Sequence, residues 1–440
     1  MKHSILLGLA CLLFANPSIA QNNGLSPYDA NKPIGWCMEG TGTTGDATNN
    51  IVHVQTYDAL KSELRRGTTN KTIIIDNDIY FPEKLFVGGV SNITIYGMPG
   101  TKLYNYVHTA DQDSSGCFYV KESNNLIFRN LDMQGAGAFD NSSADCMQLV
   151  TCQNVWVDHC NFQDGVDGCL DLKTGTDNVS ITWCRFRYLI EPWADGKGGA
   201  NDHRFPLLIG SGDKNTEDVG HLNTTIAYCW FDEGCMERTP RVRKGKIHVV
   251  NCDYTNVGAH YLVGPGYLAN IYEEKCDMSA ISYTIDYPKW KDAGTYKTLQ
   301  WKNYATEKKY KGFNLKMVDC VNAVDIDTLE GNAKQYDPYT DGGNSGVVAY
   351  DKTLVKAFVE NADNGAGPTL DADLLATRGN SGQQEPTTGI SNIANNGATV
   401  VATYYYSVSG VKSSVPQPGL NIVRQQMSDG TLKTFKSFER

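Results

Sequence analysis

Four short segments constrain this chain more than anything else in it: VWVDHCNF at 155–162, VSITWCRF at 179–186, TTIAYCWF at 224–231 and IHVVNCDY at 247–254. Their cysteines, Cys160, Cys184, Cys229 and Cys252, step by 24, 45 and 23 residues. Each segment alternates apolar and polar positions and is rich in Val, Ile, Thr and aromatic residues, the period-two signature of a half-buried strand. Strands that return at a period in the low twenties bury a continuous core only by stacking coil on coil, so the pattern predicts an all-β solenoid, a parallel β-helix. The 45-residue step reads as two turns of about 22, one carrying an insertion.

Fainter copies begin at Asn92 and Asn125, and an Asn also precedes the strands at Asn154, Asn178 and Asn223. Asn tolerates the left-handed bend that a coil needs, which makes these residues expected corners. A second ladder lies one strand earlier: ADCMQL at 144–149, DGCLDL at 167–172 and EGCMER at 233–238 align on Cys146, Cys169 and Cys235. Their steps are 23 and 66, the second read as three turns. Neighbouring coils lie about 4.8 Å apart. Asp145, Asp167, Asp171 and, further along, Arg238 are therefore expected on one outer face.

The remaining sequence frames this solenoid. Residues 1–20 carry Lys2, an apolar run from Ile5 to Phe14 and a small-residue cleavage site at Ser18–Ala20, the pattern of a secretory signal peptide. A secreted protein is expected, with no membrane span, since no other apolar run is long enough. Without Cys11, twelve cysteines remain. Stacked inward cysteines are read as mostly free, buried thiols rather than disulfides. The net charge of -10 argues against nonspecific nucleic-acid binding.

Residues 21–378 form the expected helical domain, and a monomer is expected. Its open N-terminal end is capped by a short amphipathic α-helix from Thr56, the N-cap, to Arg65. The coils are expected to run to about Tyr272. Excursions at 188–206 and 275–315 should wall a groove, the second bearing Trp290 and Trp301, which either pack over the coil or stack on sugar rings. A polar linker at 379–389 leads to a small β module at 390–440, which is either a stabilising appendage or a sorting domain of the kind found in exported bacterial proteins.

Three carboxylates on one face suit a hard cation such as Ca²⁺, and no His/Cys set has zinc spacing. Beside them stands Arg238-Thr-Pro-Arg-Val-Arg243, with Lys244 and Lys246 following. Guanidinium groups next to a carboxylate-bound cation describe a site for a polycarboxylate.

The ordered set of Trp156–His159, Asp167–Asp171, Leu208–Asp213, Arg238–Arg243 and His248–Asn251 resembles the pectate lyases of polysaccharide lyase family 1, over roughly residues 35–275. That resemblance implies a right-handed, single-stranded parallel β-helix and Ca²⁺-dependent β-elimination on polygalacturonate. It implies that Asp145, Asp167 and Asp171 hold calcium, that Arg238 removes the C5 proton, and that Arg243 and Lys173 bind substrate. An arginine base, which barely deprotonates, implies a rate that rises with pH above neutrality. Two positions depart from the family: a further carboxylate is Ser143 here, and a basic residue is Phe205, for which the neighbouring Arg204 is expected to substitute in binding substrate. His159 and Asp158 are read as a structural corner. The competing readings are a metal-independent pectin lyase on methylated pectin, a hydrolase using two aspartates, and a non-catalytic polysaccharide-binding β-helix.

Overall fold

The computed structural model describes residues 32–196, 202–282 and 298–370, and the strands lying between 400 and 439. The expected signal peptide, the linker at 379–389 and Trp290 lie outside the described residues. The chain divides into two compact units, Met1–Gly379 and Asn380–Arg440.

In the first unit, three sheets run side by side along a parallel β-helix. Among the described residues they hold 11, 7 and 8 strands, and are called here sheets A, B and C. One coil shows the path: sheet C at Met147–Val150, sheet A at Gln153–Asp158, sheet B at Asn161–Gln163, then sheet C again at Leu170–Lys173. Every pairing in these sheets is parallel except the last in sheet A, where Ile326–Leu329 runs antiparallel to Asn314–Val318.

Two corners close each coil. Asn92, Asn125, Asn154 and Asn178 take φ between 54° and 56° at the entry to sheet A, as their short polar side chains permit. Before Asn223 it is Leu222 that adopts the left-handed bend, at φ 67°. The corner from sheet A to sheet B was not foreseen beyond His159: His159, Trp183, Tyr228 and Asn251, each preceding a ladder cysteine, also have positive φ. Bulky residues tolerate that conformation here because their rings hold one another, with Trp183 stacked on His159 at 5.6 Å and packed on Tyr228 at 5.0 Å.

Inside, Cys160, Cys184, Cys229 and Cys252 are fully buried free thiols, continued by Cys276 and Cys320. Phe162, Phe186 and Phe231 stack in a column continued by the tilted ring of Tyr254, with ring centroids 5.1, 5.4 and 5.0 Å apart. The N-terminal helix is present at Tyr57–Glu63, with the Thr56 side chain accepting from the Ala59 amide, and Leu60 and Leu64 join the core.

Four expectations are corrected. The 45-residue step is one coil, because Val179 pairs directly with Thr224; the extra length sits in the excursion after Arg187 and the loop after Ile209. Likewise, Asp171 is followed along sheet C by Leu208 and then Arg241, so two coils, not three, separate the acidic and basic runs. The match of Cys235 to Cys169 fails: Leu172 stands opposite Ile209 and then Val242, which shifts the arginines by four residues from the expected alignment. Finally, the parallel coils continue past Tyr272, since Asn270–Glu274 pairs with Asn314–Val318. Trp301 lies in that added length, paired with Val263 and packed 5.6 Å from Phe313.

The second unit contains a four-stranded antiparallel sheet built from Val400–Ser407, Lys412–Ser413, Gly419–Met427 and Leu432–Glu439.

Candidate active site

Strand alternation on sheet C turns Met147, Leu149, Leu170 and Leu172 into the core and leaves Gln148, Asp171, Leu208 and Arg241 outward in one row across the coils. The acidic residues gather where that row meets the loop before it. Asp145 is only 2% exposed. It lies over the next coil because residue 168 is glycine: a Cβ there would stand 2.5 Å from Asp145 Oδ1. Burial, then the charges of Asp171 and Asp167, hold the Asp145 carboxyl well above the usual carboxylate range. Three like charges therefore converge.

Two basic side chains face them. Lys173 forms an ion pair with Asp171, and its Nζ is 3.9 Å from Asp145 Oδ2. Burial alone would lower the Lys173 pKa, but Asp171 and Asp145 outweigh it and the ammonium is strongly favoured. His203 Nδ1 lies 2.9 Å from Asp167 Oδ1. Sequence reasoning missed His203, although the excursion that carries it was expected to border the groove.

The arginines come from the strand at Arg241–Val242 and its flanks. Arg238 has φ 64° and places its guanidinium 3.9 Å from the Phe205 ring centroid. Phe205, which replaces a basic residue of the resembled family, thus supports Arg238. Arg241 lies 3.9 Å over the Tyr304 ring; burial and then Arg243 lower its pKa. Arg243 binds Asp213 Oδ1 at 2.9 Å and the Gly210 carbonyl at 3.0 Å. Gly210 has φ +94°, and a Cβ there would come 2.8 Å from Arg243 Cβ, which explains the glycine and aspartate of the Leu208–Asp213 motif. Among the described residues, the Nε donors of Arg238 and Arg241 are buried without an acceptor. Such donors are costly unless a ligand satisfies them.

Two sequence-selected positions are occupied otherwise. Arg204 is held by Asp202, with Nε–Oδ1 2.6 Å and Nη2–Oδ2 2.8 Å, and lies 3.6 Å from Glu191. Ser143 donates to the Thr109 carbonyl at 2.6 Å. Asp158, fully buried, binds Arg129, His159 and Thr182, which makes this pair a structural corner.

The fit to a hard divalent cation rests on the donor set, all carboxylate oxygen, and on the Gly168 gap that admits Asp145. The three acids nevertheless do not form a ready-made metal-binding group among the described residues, and the Lys173 ammonium stands between two of them.

The outer face of this parallel β-helix thus sets carboxylates of neighbouring coils near arginine Nε donors that have no acceptor among the described residues. The chain belongs to the pectate lyase family, whose family model matches residues 19–275. It is similar to a probable pectate lyase B of Aspergillus terreus, 31% identical over 234 residues covering 51% of this chain and 62% of that one. It is also similar to a pectate trisaccharide-lyase of Thermotoga maritima, 28% identical over 238 residues covering 51% and 57%. The chain thus matches about three fifths of the length of these relatives. Among solved structures, a polygalacturonate lyase fused to a self-assembling amphipathic peptide matches with a TM-score of 0.57 at 18% identity, covering 79% of this chain and 99% of that one. A Bacillus subtilis pectate lyase mutant gives 0.55 at 18% identity, covering 79% and 98%. These likenesses speak to the fold.

Proposed function

We propose that this protein is a secreted, calcium-dependent pectate lyase that cleaves α-1,4-polygalacturonate by β-elimination to unsaturated oligogalacturonides. The observation that carries the reading is the outer face of sheet C, where three converging carboxylates lie two coils from buried arginine donors that lack acceptors. Asp145, Asp167 and Asp171 would hold Ca²⁺. Bound to the uronate carboxylate, the ion supplies Lewis acidity that makes the adjacent C5–H easier to remove.

The chain's own residues do the rest. Arg238, once its guanidinium has given up a proton to solvent, accepts the C5 proton; the C–H electron pair becomes the C4=C5 double bond as the C4–O bond breaks and the departing oxygen takes a proton from water. Arg243, fixed by Asp213, and Lys173 bind uronate carboxylates. Arg204, committed to Asp202, contributes only if that pair opens. The apolar N-terminal stretch supports export, and no helix among the described residues is long and apolar enough to cross a membrane. The Lys173–Asp171 ion pair favours one second reading, a metal-independent lyase acting on methylated pectin.

The test follows ultraviolet absorbance of the unsaturated product from polygalacturonate, with and without a chelator. Wild type should give a chelator-sensitive rise, and Arg238→Lys should slow it by about 10²–10⁴-fold. Chelator-resistant activity on methylated pectin would establish the second reading. Reducing ends without absorbance would overturn both.

A further inference from the structure

The row that carries Asp171 and Arg241 does not stop at the acids. Continued toward the N-terminus it passes from Gln148 to Tyr119 and then Phe86, in unbroken register. The two rings lie 5.3 Å apart at 50°, and Phe86 is 56% exposed. Together with the half-buried Tyr119 ring it makes a small contiguous aromatic patch on the outer face. Beside it sits Lys84, whose side chain is 2% exposed and whose Nζ lies 5.1 Å from the Phe86 ring and 5.4 Å from Tyr119. Its ion partner is Asp113, at 3.7 Å, beyond hydrogen-bonding distance. Gln148, next to Tyr119 on the row, donates to Asp145 Oδ2 at 2.5 Å, so the aromatic pair adjoins the acidic cluster.

We infer that Lys84, Phe86 and Tyr119 form a further subsite for the acidic polysaccharide, at the end of the groove away from the arginines. The occupant follows from chemistry. A uronate residue offers an apolar C–H face, which an exposed ring covers, and a carboxylate, which a nearby ammonium attracts. The geometry fixes the direction: a chain bound by residues of successive coils crosses the strands, and three coil steps of about 4.8 Å separate Asp171 from Phe86, so only a substrate several saccharides long reaches both. The Lys84 Nζ, 3.7 Å from Asp113, places a cation beside this aromatic surface. The subsite deepens the pectate lyase reading and rests on it for the identity of the polymer.

The experiment compares full-length wild type, Phe86→Ala, Tyr119→Ala and Phe86→Tyr, measuring binding to polygalacturonate and to galacturonate trimer by calorimetry, alongside KM and kcat on the polymer. Phe86 is exposed, so its truncation leaves the fold in place; circular dichroism checks this. Both alanine variants should weaken polymer binding by about three- to tenfold, more than they weaken trimer binding, with the loss in KM rather than kcat, and Phe86→Tyr should restore it. Equal affinity of Phe86→Ala and wild type for the polymer overturns the subsite. Binding lost in the variants of a protein that yields no unsaturated product would uphold the subsite while removing the lyase reading.

Discussion

The interior of the coils and the outer face of sheet C are made by the same strands, yet they solve opposite problems. Inside, each side chain is answered by its own kind one coil away: cysteine on cysteine, Phe186 between Phe162 and Phe231. Outside, like charges are brought together and only partly answered, by Lys173 and the His203 ring. Asp145 is held near Asp171 and Asp167, and the Nε donors of Arg238 and Arg241 have no acceptor among the described residues. The contrast teaches that stacking is indifferent to sign: it stabilises where it sets apolar groups of successive coils together, and it stores unfavourable charge where it brings carboxylates of neighbouring coils close. The regular interior supplies the stability that allows the strained face to exist.

Removing one rung should break the first half of this contrast. Phe186→Ala leaves a cavity in the middle of the aromatic column and is expected to cost about 3–5 kcal/mol. Denaturant melting would report this, while molecules that remain folded keep their affinity for polygalacturonate. Equal losses of stability and affinity would show that the two regions are not separable.

The second half is sharpened at Gly168. Gly168→Ala places a Cβ 2.5 Å from Asp145 Oδ1. The Cβ would also stand 3.1 Å from the Phe205 carbonyl, so some stability is lost, read by melting, but the closest contact is to a side chain, and the calcium concentration needed for half-maximal activity should rise about tenfold as Asp145 is displaced. A calcium titration of the elimination rate reads the shift; an unchanged requirement would remove Asp145 from the metal site.

The smallest effect tests an acid placed inside rather than outside. Glu273 is fully buried, accepts from Tyr254 Oη at 2.8 Å, and burial pushes its pKa up to about 8. The folded chain therefore keeps that proton while the unfolded chain releases it near 4.5, so stability falls as pH rises from there toward about 8 and levels off above. Glu273→Gln should raise Tm at pH 8 by about 2–4 °C relative to wild type, with a smaller gain at pH 5. A difference independent of pH would mean that Glu273 is already ionised in the fold.

Much of this was legible before any coordinates. Alternation marked the strands, the cysteine spacing marked the coils, and the run from Arg238 to Arg243 beside three aspartates marked the face. Coil counting failed wherever an excursion intervened, because the number of residues between two strands does not say how many of them are in the coil. Hence the 45-residue step was read as two turns, and Cys235 was matched to the wrong rung. His203 escaped for the same reason, as a lone histidine in a loop whose neighbour across space is Asp167.

The amino-acid order by itself determined which residues alternate, where Asn permits a corner, and which charges are available. Only the tertiary structure decided what stands beside what: Asp171 in line with Leu208 and Arg241, Arg238 over Phe205, and Phe86 and Tyr119 on the row of the acids. The reason is that register is set by hydrogen bonds between coils rather than by distance along the chain, and a loop of any length returns the strand to the same ladder.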